Sequence, residues 1–256
     1  FSMPVGRIEY FHIGPFSFKE FLTVIEPALI EYIEQYQPGK ELTETAHRKL
    51  SERQREFLFV GGMPEAILIY SESGSLEETA RVHSTIVNTY YDDFSKYAKS
   101  KDLLLLQRIF HQIPRYIGNK VKYTNFSRDE RSGNVKNAID LLIKAGICSP
   151  VIHSNCSGIP LHADINEFNY KLLFLDTGLT GYINGLDWYT LSSYDTIALV
   201  NEGKIAEQFI GQHLFYRSQG FRKPVLHYWL RESRKSNAEV DFVISEGDWI
   251  IPVEVK

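Results

Sequence analysis

A mixed α/β fold is predicted by three features of the sequence. Helical apolar periodicity runs through residues 24 to 100, a β-hairpin pattern fills the last eighteen residues, and a helix–strand–strand–strand order leads into that hairpin. The chain, 256 residues long, has room for two or three small domains. We expect an opening segment (1–25), a helical connector (26–100), a winged helix (101–175) and an α/β lobe (176–256).

The opening segment reads as a loop, a strand over Ile8–Ile13, then Pro15 to Leu22, where Ser17 is an N-cap with Glu20 three residues on, a capping box. A helical pattern from Glu41 to Val60 carries Leu50, Phe57 and Leu58. Gly61-Gly62-Met63-Pro64 interrupts it and turns the chain into a new helix. A longer helix over Thr79–Ala98 ends in Tyr90-Tyr91-Asp92-Asp93-Phe94. That cluster reads as packing and capping, because a metal role for Asp92 and Asp93 has no supporting partner.

Residues 101–175 show three helices and a β-wing. Asp102 to Pro114 is the first helix, and Thr124–Ser127 opens a short second. Ser132–Ile147 is the third, apolar at Val135, Ile139, Leu142 and Ile143 and stopped by Gly146. Ile147–His153 and a strand after Ser157-Gly158 form the wing, so the third helix would be the recognition helix. From Arg108 to Lys144 there are eight basic and three acidic residues, a balance of +5 in a chain whose formal charge is −4. Arg115, Lys120, Lys122, Arg128, Arg131 and Lys136 are the candidates for neutralising DNA phosphates. The alternative is a winged helix that binds protein or only joins domains.

Beyond the wing, Asp176 is placed as the cap of a helix over Thr177–Ile183, and residues 184–200 as a joining loop with a short helix. Asn201–Tyr216 is a helix with its stripe at Ile205, Ala206, Phe209, Ile210, His213 and Leu214, and Glu207 at the border of that stripe. Pro224–Arg231 supplies a strand.

In the terminal hairpin, strict alternation puts Val240, Phe242 and Ile244 on one face and Glu239 and Asp241 on the other. With a Gly247-Asp248 loop, Asp241 lies opposite Glu254. With a Glu246-Gly247 loop it lies opposite Pro252 and diagonal to Glu254. A three-residue loop without a bulge would separate the two acids. Like charges across a strand pair are unfavourable, so their presence in an apolar hairpin points to a held cation. The bland alternative is an edge hairpin with solvated Glu and Lys.

Composition narrows the classes. Hydrophobic residues make up 43% and aromatics 13%, as in a globular chain. Phe1-Ser2-Met3-Pro4 has no basic, then apolar, leader pattern. No apolar run reaches the roughly 18–20 residues that span a bilayer. Cys148 and Cys156 are too few for a zinc site, even with His153 between them, and two cysteines fit a reducing cytoplasm.

Asp241…Glu254-Val255-Lys256 resembles the PD-(D/E)xK nuclease signature. The resemblance implies a restriction-endonuclease-like lobe in which Asp241 and Glu254 bind Mg²⁺, Glu207 is a third carboxylate on the preceding helix, and Lys256 acts on the attacking water. Hard carboxylate oxygens suit that ion. The second helix and further strand of such a core are expected beyond Lys256, so the lobe is expected to be truncated and the chain to be a fragment.

The order of motifs along the chain resembles the C-terminal region of bacterial and archaeal AAA-type ATPases. It runs Gly6-Arg7, Pro15-x-Ser17-Phe18-x-Glu20-Phe21, Gly61-Gly62-Met63-Pro64-Glu65-Ala66, Lys171-x-x-x-x-Asp176-x-Gly178-Leu179, Gly203-x-x-x-Glu207 and the terminal hairpin. The resemblance implies a missing ATPase core as partner and ATP as its cofactor. The phosphate-binding Gly-x-x-x-x-Gly-Lys-[Ser/Thr] motif is absent from this chain. Arg7 is then an arginine-finger candidate, with a surface Arg as its bland reading. Three functions stay open: Mg²⁺-dependent phosphodiester hydrolysis, a non-hydrolytic DNA- or protein-binding module of the ATPase, and an oligomerisation segment.

Overall fold

A computed structural model describes residues 6–37, 39, 41–98, 100–186, 202–217, 220–232 and 237–256. Ser2–Val5 and the expected joining loop from 187 to 200 lie outside the described residues. The architecture is mixed α/β: ten α-helices and a five-stranded mixed sheet among the described residues.

The helices come first. Ser17 caps α1 (Phe18–Ile25) and completes the expected capping box with Glu20. A short α2 (Ile30–Glu34) follows. Thr43 caps α3 (Glu44–Val60) by accepting from Ala46 N–H. That helix ends at Gly61, whose φ of +72° suits a residue without Cβ. Pro64 then opens α4 (Pro64–Ser73), and Ser75 caps α5 (Leu76–Phe94). The aromatic end of α5 is packing, as expected: Tyr90, Tyr91 and Phe94 all meet the ring of Phe110, with centroids 5.3–5.9 Å apart.

Next come α6 (Ser100–Gln112), α7 (Tyr123–Phe126), α8 (Ser132–Lys144), β1 (Cys148–Ser154) and β2 (Ile165–Phe174). Gly146, at φ +73°, follows α8 as its stop. Then come α9 (Thr177–Ile183), α10 (Glu202–Phe215), β3 (Leu226–Glu232), β4 (Asn237–Glu246) and β5 (Trp249–Val253).

The sheet order is β2-β1-β3-β4-β5. β1 is antiparallel to β2 and parallel to β3, and the β3/β4 and β4/β5 pairs are antiparallel. A parallel neighbour needs a crossover; here α9 and α10 lie on it. The hairpin at 148–174 and the strands at 226–253 are therefore parts of one sheet, which runs across residue 175. One core joins α5, α6 and α8 to β1, β2 and α9 through Phe110, Ile139, Leu142 and Phe174. A second gathers α1, α3 and α4 around Phe21 and Phe57 and takes in Phe209 of α10. A third lies on the sheet: Val151, Leu173, Leu226, Tyr228 and Phe242 beneath Ile210 and Leu214 of α10.

Two expectations are corrected. Ile8–Ile13 forms no strand. Among the described residues its backbone is tied by a hydrogen bond from His12 N–H to the Gly220 carbonyl (2.6 Å), between α10 and β3, and Phe11 and Ile13 stay exposed. Apolar, β-branched residues favour a strand only where a ladder and a packing face exist. The second correction concerns β4. His227 and Trp229, two residues apart on β3, pair with Val243 and Val240, three apart on β4. The extra residue is a bulge, and it breaks the alternation assumed for the hairpin. No helix among the described residues is long and apolar enough to cross a membrane.

Candidate functional site

The bulge decides what Asp241 faces. Leu230, on the Tyr228 side of β3, pairs with Glu239, so Glu239 belongs to the face that carries α10. Phe242 packs beneath Ile210 and Leu214, also on that face. Side chains across a bulge fall on nearly one side, so Asp241, which shares a face with Glu239 as expected, lies on the same side as Phe242 under α10 instead of opposite to it. On β2, Lys171 pairs with Val151 and Val151 with Leu226, which brings Lys171 to the same face.

Three carboxylates from two elements then meet one ammonium. Lys171 Nζ lies 3.7 Å from Glu207 Oε2, 3.8 Å from Asp241 Oδ1 and in close contact with Glu239 Oε1. Its side chain is 3% exposed, and the ammonium also sits 5.2 Å from the centre of the buried Tyr228 ring. A lysine is almost never this buried unless paired, and here three carboxylates share the pairing. Burial pushes the Glu207 carboxyl above its ordinary range; Lys171 opposes that shift, and Asp241 and Glu239 add to it.

The backbone fits closely around these groups. A Cβ on Gly118 would come within 2.6 Å of Glu207 Oε1, and Gly118 has φ +79°. The positive φ favours glycine there, and a Cβ would displace the Glu207 carboxylate. Asp241 Oδ2 accepts Val255 N–H at 2.9 Å, which fixes the chain beyond β5 against β4.

Not every predicted residue enters the cluster. Asp241 and Glu207 do. The hairpin has the Gly247-Asp248 loop, with Glu246 opposite Trp249 and Phe242 opposite Val253, so Glu254 continues opposite Asp241. Glu254 is exposed, one residue past β5, and Lys256 is exposed. Arg7 is exposed in the opening turn. Arg115, Lys122, Arg128, Arg131 and Lys136 are exposed and Lys120 is half-buried, between α6 and the first turns of α8. Lys120 pairs with Glu232 (3.2 Å) and Lys136 with Asp140 (2.9 Å). Arg115, Lys120 and Lys122 all lie within four residues of the Gly118–Glu207 contact.

Lys171 and Glu239 were missed as partners of the site. In the sequence Lys171 stands only as a position of the Lys171-x-x-x-x-Asp176-x-Gly178-Leu179 motif, and Glu239 only as the residue that shares a face with Asp241. An ionic residue inside the run Tyr170-Lys171-Leu172-Leu173-Phe174 is the signal that points to it, because a buried strand admits a charge only against an opposite one.

Asp176 caps α9 as expected and is fully buried. It accepts Leu179 N–H (3.0 Å) and, across from α9, Gly62 N–H (2.6 Å). Its carboxyl is engaged by backbone, in a structural role. Cys148 and Cys156 are both free thiols.

The fold and this cluster define a mixed α/β protein with an acidic, lysine-centred site beneath a helix that crosses over the sheet. The family model described as Domain of unknown function (DUF8612) matches residues 51–190, more than half of the chain, and the chain belongs to that family. The model described as Domain of unknown function (DUF4143) matches residues 202–256, from α10 to the end. No curated protein and no solved structure matches the chain.

Proposed function

We propose that the chain is the C-terminal part of an AAA-type ATPase in which a winged helix (α6, α7, α8, β1 and β2) contacts DNA and a PD-(D/E)xK nuclease-like lobe hydrolyses phosphodiesters with Mg²⁺. The observation that carries this reading is convergence: Glu207 of α10 and Asp241 of β4 come within 4 Å of the same ammonium. A hydrolytic centre of this type needs acids from the helix and the hairpin on one side of the sheet. The ATPase setting is supported by the order of motifs along the chain, from Gly6-Arg7 to the terminal hairpin.

The type of donor, though not its arrangement, suits a divalent ion. Three carboxylates surround one ammonium, which leaves an excess of negative charge, and every donor is a hard oxygen. Among the described residues no group of three such side chains is placed to hold a metal ion, and Lys171 stands between Glu207, Glu239 and Asp241. In the nuclease reading Asp241 and Glu207 would hold the ion together with Glu254, which lies outside the cluster, exposed beyond β5, and would have to turn toward it; the ion when bound would lower the pKa of water and stabilise phosphoryl charge. Lys256 follows Val255, whose N–H is held by Asp241, and would orient the water. Water oxygen forms the new bond to phosphorus, one P–O ester bond breaks, and the departing alkoxide takes a proton. ATP would belong to the ATPase core of the intact protein, with Arg7 as its arginine-finger candidate.

The occupied centre favours a second reading: a lobe of the same fold without hydrolysis, serving DNA or protein recognition for the ATPase. Titrating Mg²⁺ and Mn²⁺ by calorimetry, with a DNA cleavage assay on the same samples, separates the two. Hydrolysis predicts ion binding and cleavage that both vanish in Asp241→Ala. Duplex binding with neither ion uptake nor cleavage would establish the recognition module.

A further inference from the structure

We propose that Phe168 is a stacking platform for an unpaired base, so that the β1–β2 hairpin takes single-stranded DNA in preference to the duplex. Such a site rests on the DNA-contact reading above and adds a residue, Phe168, that neither the nuclease signature nor the basic segment includes.

The backbone holds the ring out. β2 is an edge strand of the sheet. Ile152 pairs with Tyr170, and the next residue of β1, His153, pairs with Asn166, so Glu167, Phe168 and Asn169 are pushed out of the ladder. A bulge at a sheet edge re-aims a side chain. Phe168 N–H donates to Asn166 Oδ1 (3.1 Å), which ties down the bulged backbone. The ring is 89% exposed, more than any other large apolar side chain among the described residues.

The charge beside the bulge selects the partner. Val121 N–H donates to the Tyr170 carbonyl (2.8 Å), two residues along β2 from Phe168, and Val121 stands between Lys120 and Lys122. Lys122 is exposed, while Lys120 shares its charge with Glu232. An aromatic face beside cations is the arrangement that holds a single strand: the base stacks and the phosphates meet the ammonium groups. A duplex keeps its base faces in its own stack and offers the ring only edges and phosphates. Glu167, exposed next to Phe168, repels a phosphate but not an uncharged base.

The test uses the 256-residue chain, Phe168→Ala, Phe168→Trp and the double variant Lys120→Ala/Lys122→Ala. Fluorescence anisotropy reads their binding to a labelled oligothymidine strand and to a duplex of the same length, over a salt series. The parent should bind the single strand more tightly than the duplex. Phe168→Ala should bind the single strand about tenfold more weakly, as when one stacked base is lost, with its salt slope and duplex affinity unchanged. Phe168→Trp keeps a π-face and should bind at least as tightly as the parent. The lysine variant should lower the slope instead. Because the ring is exposed, both Phe168 variants should unfold at the parent's temperature, which separates lost binding from lost folding. Equal single-strand affinity in the parent and Phe168→Ala, or a parent that prefers the duplex, would overturn the platform and leave DNA contact standing. Binding of neither form by the parent would overturn DNA contact as well.

Discussion

Asp176 shows how one side chain can stand in for several elements. Its carboxylate caps α9 through Leu179 N–H and reaches across to Gly62 N–H, in the turn between α3 and α4. Gly61, beside it, has no room for a Cβ, which would overlap the Asp176 carboxylate. The Gly61-Gly62 turn and the Asp176-x-Gly178 segment, two motifs more than a hundred residues apart, are thus the two halves of one contact. Asp176→Ala would leave two buried backbone donors without a partner, each costing about 1–3 kcal/mol. We expect a loss of about 3 kcal/mol in stability from urea unfolding, with no change in ion binding. A loss below about 1 kcal/mol would show that water replaces the carboxylate.

At the scale of elements, α10 is held to the sheet by close approach at Gly211 and by amides. A Cβ there would stand 2.6 Å from Leu173 and 2.8 Å from Phe242. Gly211→Ala should cost about 1–3 kcal/mol, the usual range for overpacking a filled core, measurable by thermal unfolding. It should also weaken any ion binding, because Glu207 lies one turn away on the same helix. A variant as stable as the parent would mean that α10 shifts freely over Leu173 and Phe242. Gln208 and Gln212 complete the attachment. The Gln208 amide both accepts Phe174 N–H (2.9 Å) and donates to the Phe174 carbonyl (2.8 Å), as an added strand would, and Gln212 accepts Thr177 N–H (3.0 Å). These contacts explain the limits of what the sequence discloses. Caps, turns and the helix–strand order were legible because Ser17, Gly61, Gly146 and Asp176 act on their own neighbours. The Gly247-Asp248 register was one of the alternatives that local turn rules allow. The buried glutamines, the β4 bulge and the Lys171 pairings were not legible, because each depends on a partner strand that local pattern does not specify. Alternation rightly grouped Asp241 with Glu239 but separated it from Phe242 for that reason: a bulge is a property of two strands.

For the whole molecule, charge is distributed against its total. The chain carries −4, yet residues 108–144 carry +5, and that basic segment is joined to the acidic cluster by the contact of Gly118 with Glu207. A polyanion drawn to Arg115 and Lys122 would therefore have its backbone near the carboxylates, which repel it unless a cation intervenes. Lys120 has part of its charge engaged by Glu232, so it should contribute less than the two exposed residues. If the winged helix contacts duplex DNA, replacing Arg115, Lys120 and Lys122 together by Ala should weaken binding across unrelated sequences and lower the slope of log affinity against log salt by about two to three, since each neutralised phosphate contributes about 0.9. Fluorescence anisotropy over a salt series reads both quantities. An unchanged slope with unchanged affinity would remove this face from DNA contact and shift the recognition role to a protein partner. A changed slope with the cluster variants binding DNA like the parent would instead separate the two surfaces: the basic face would position the duplex, and the acidic site would act only on what is positioned there.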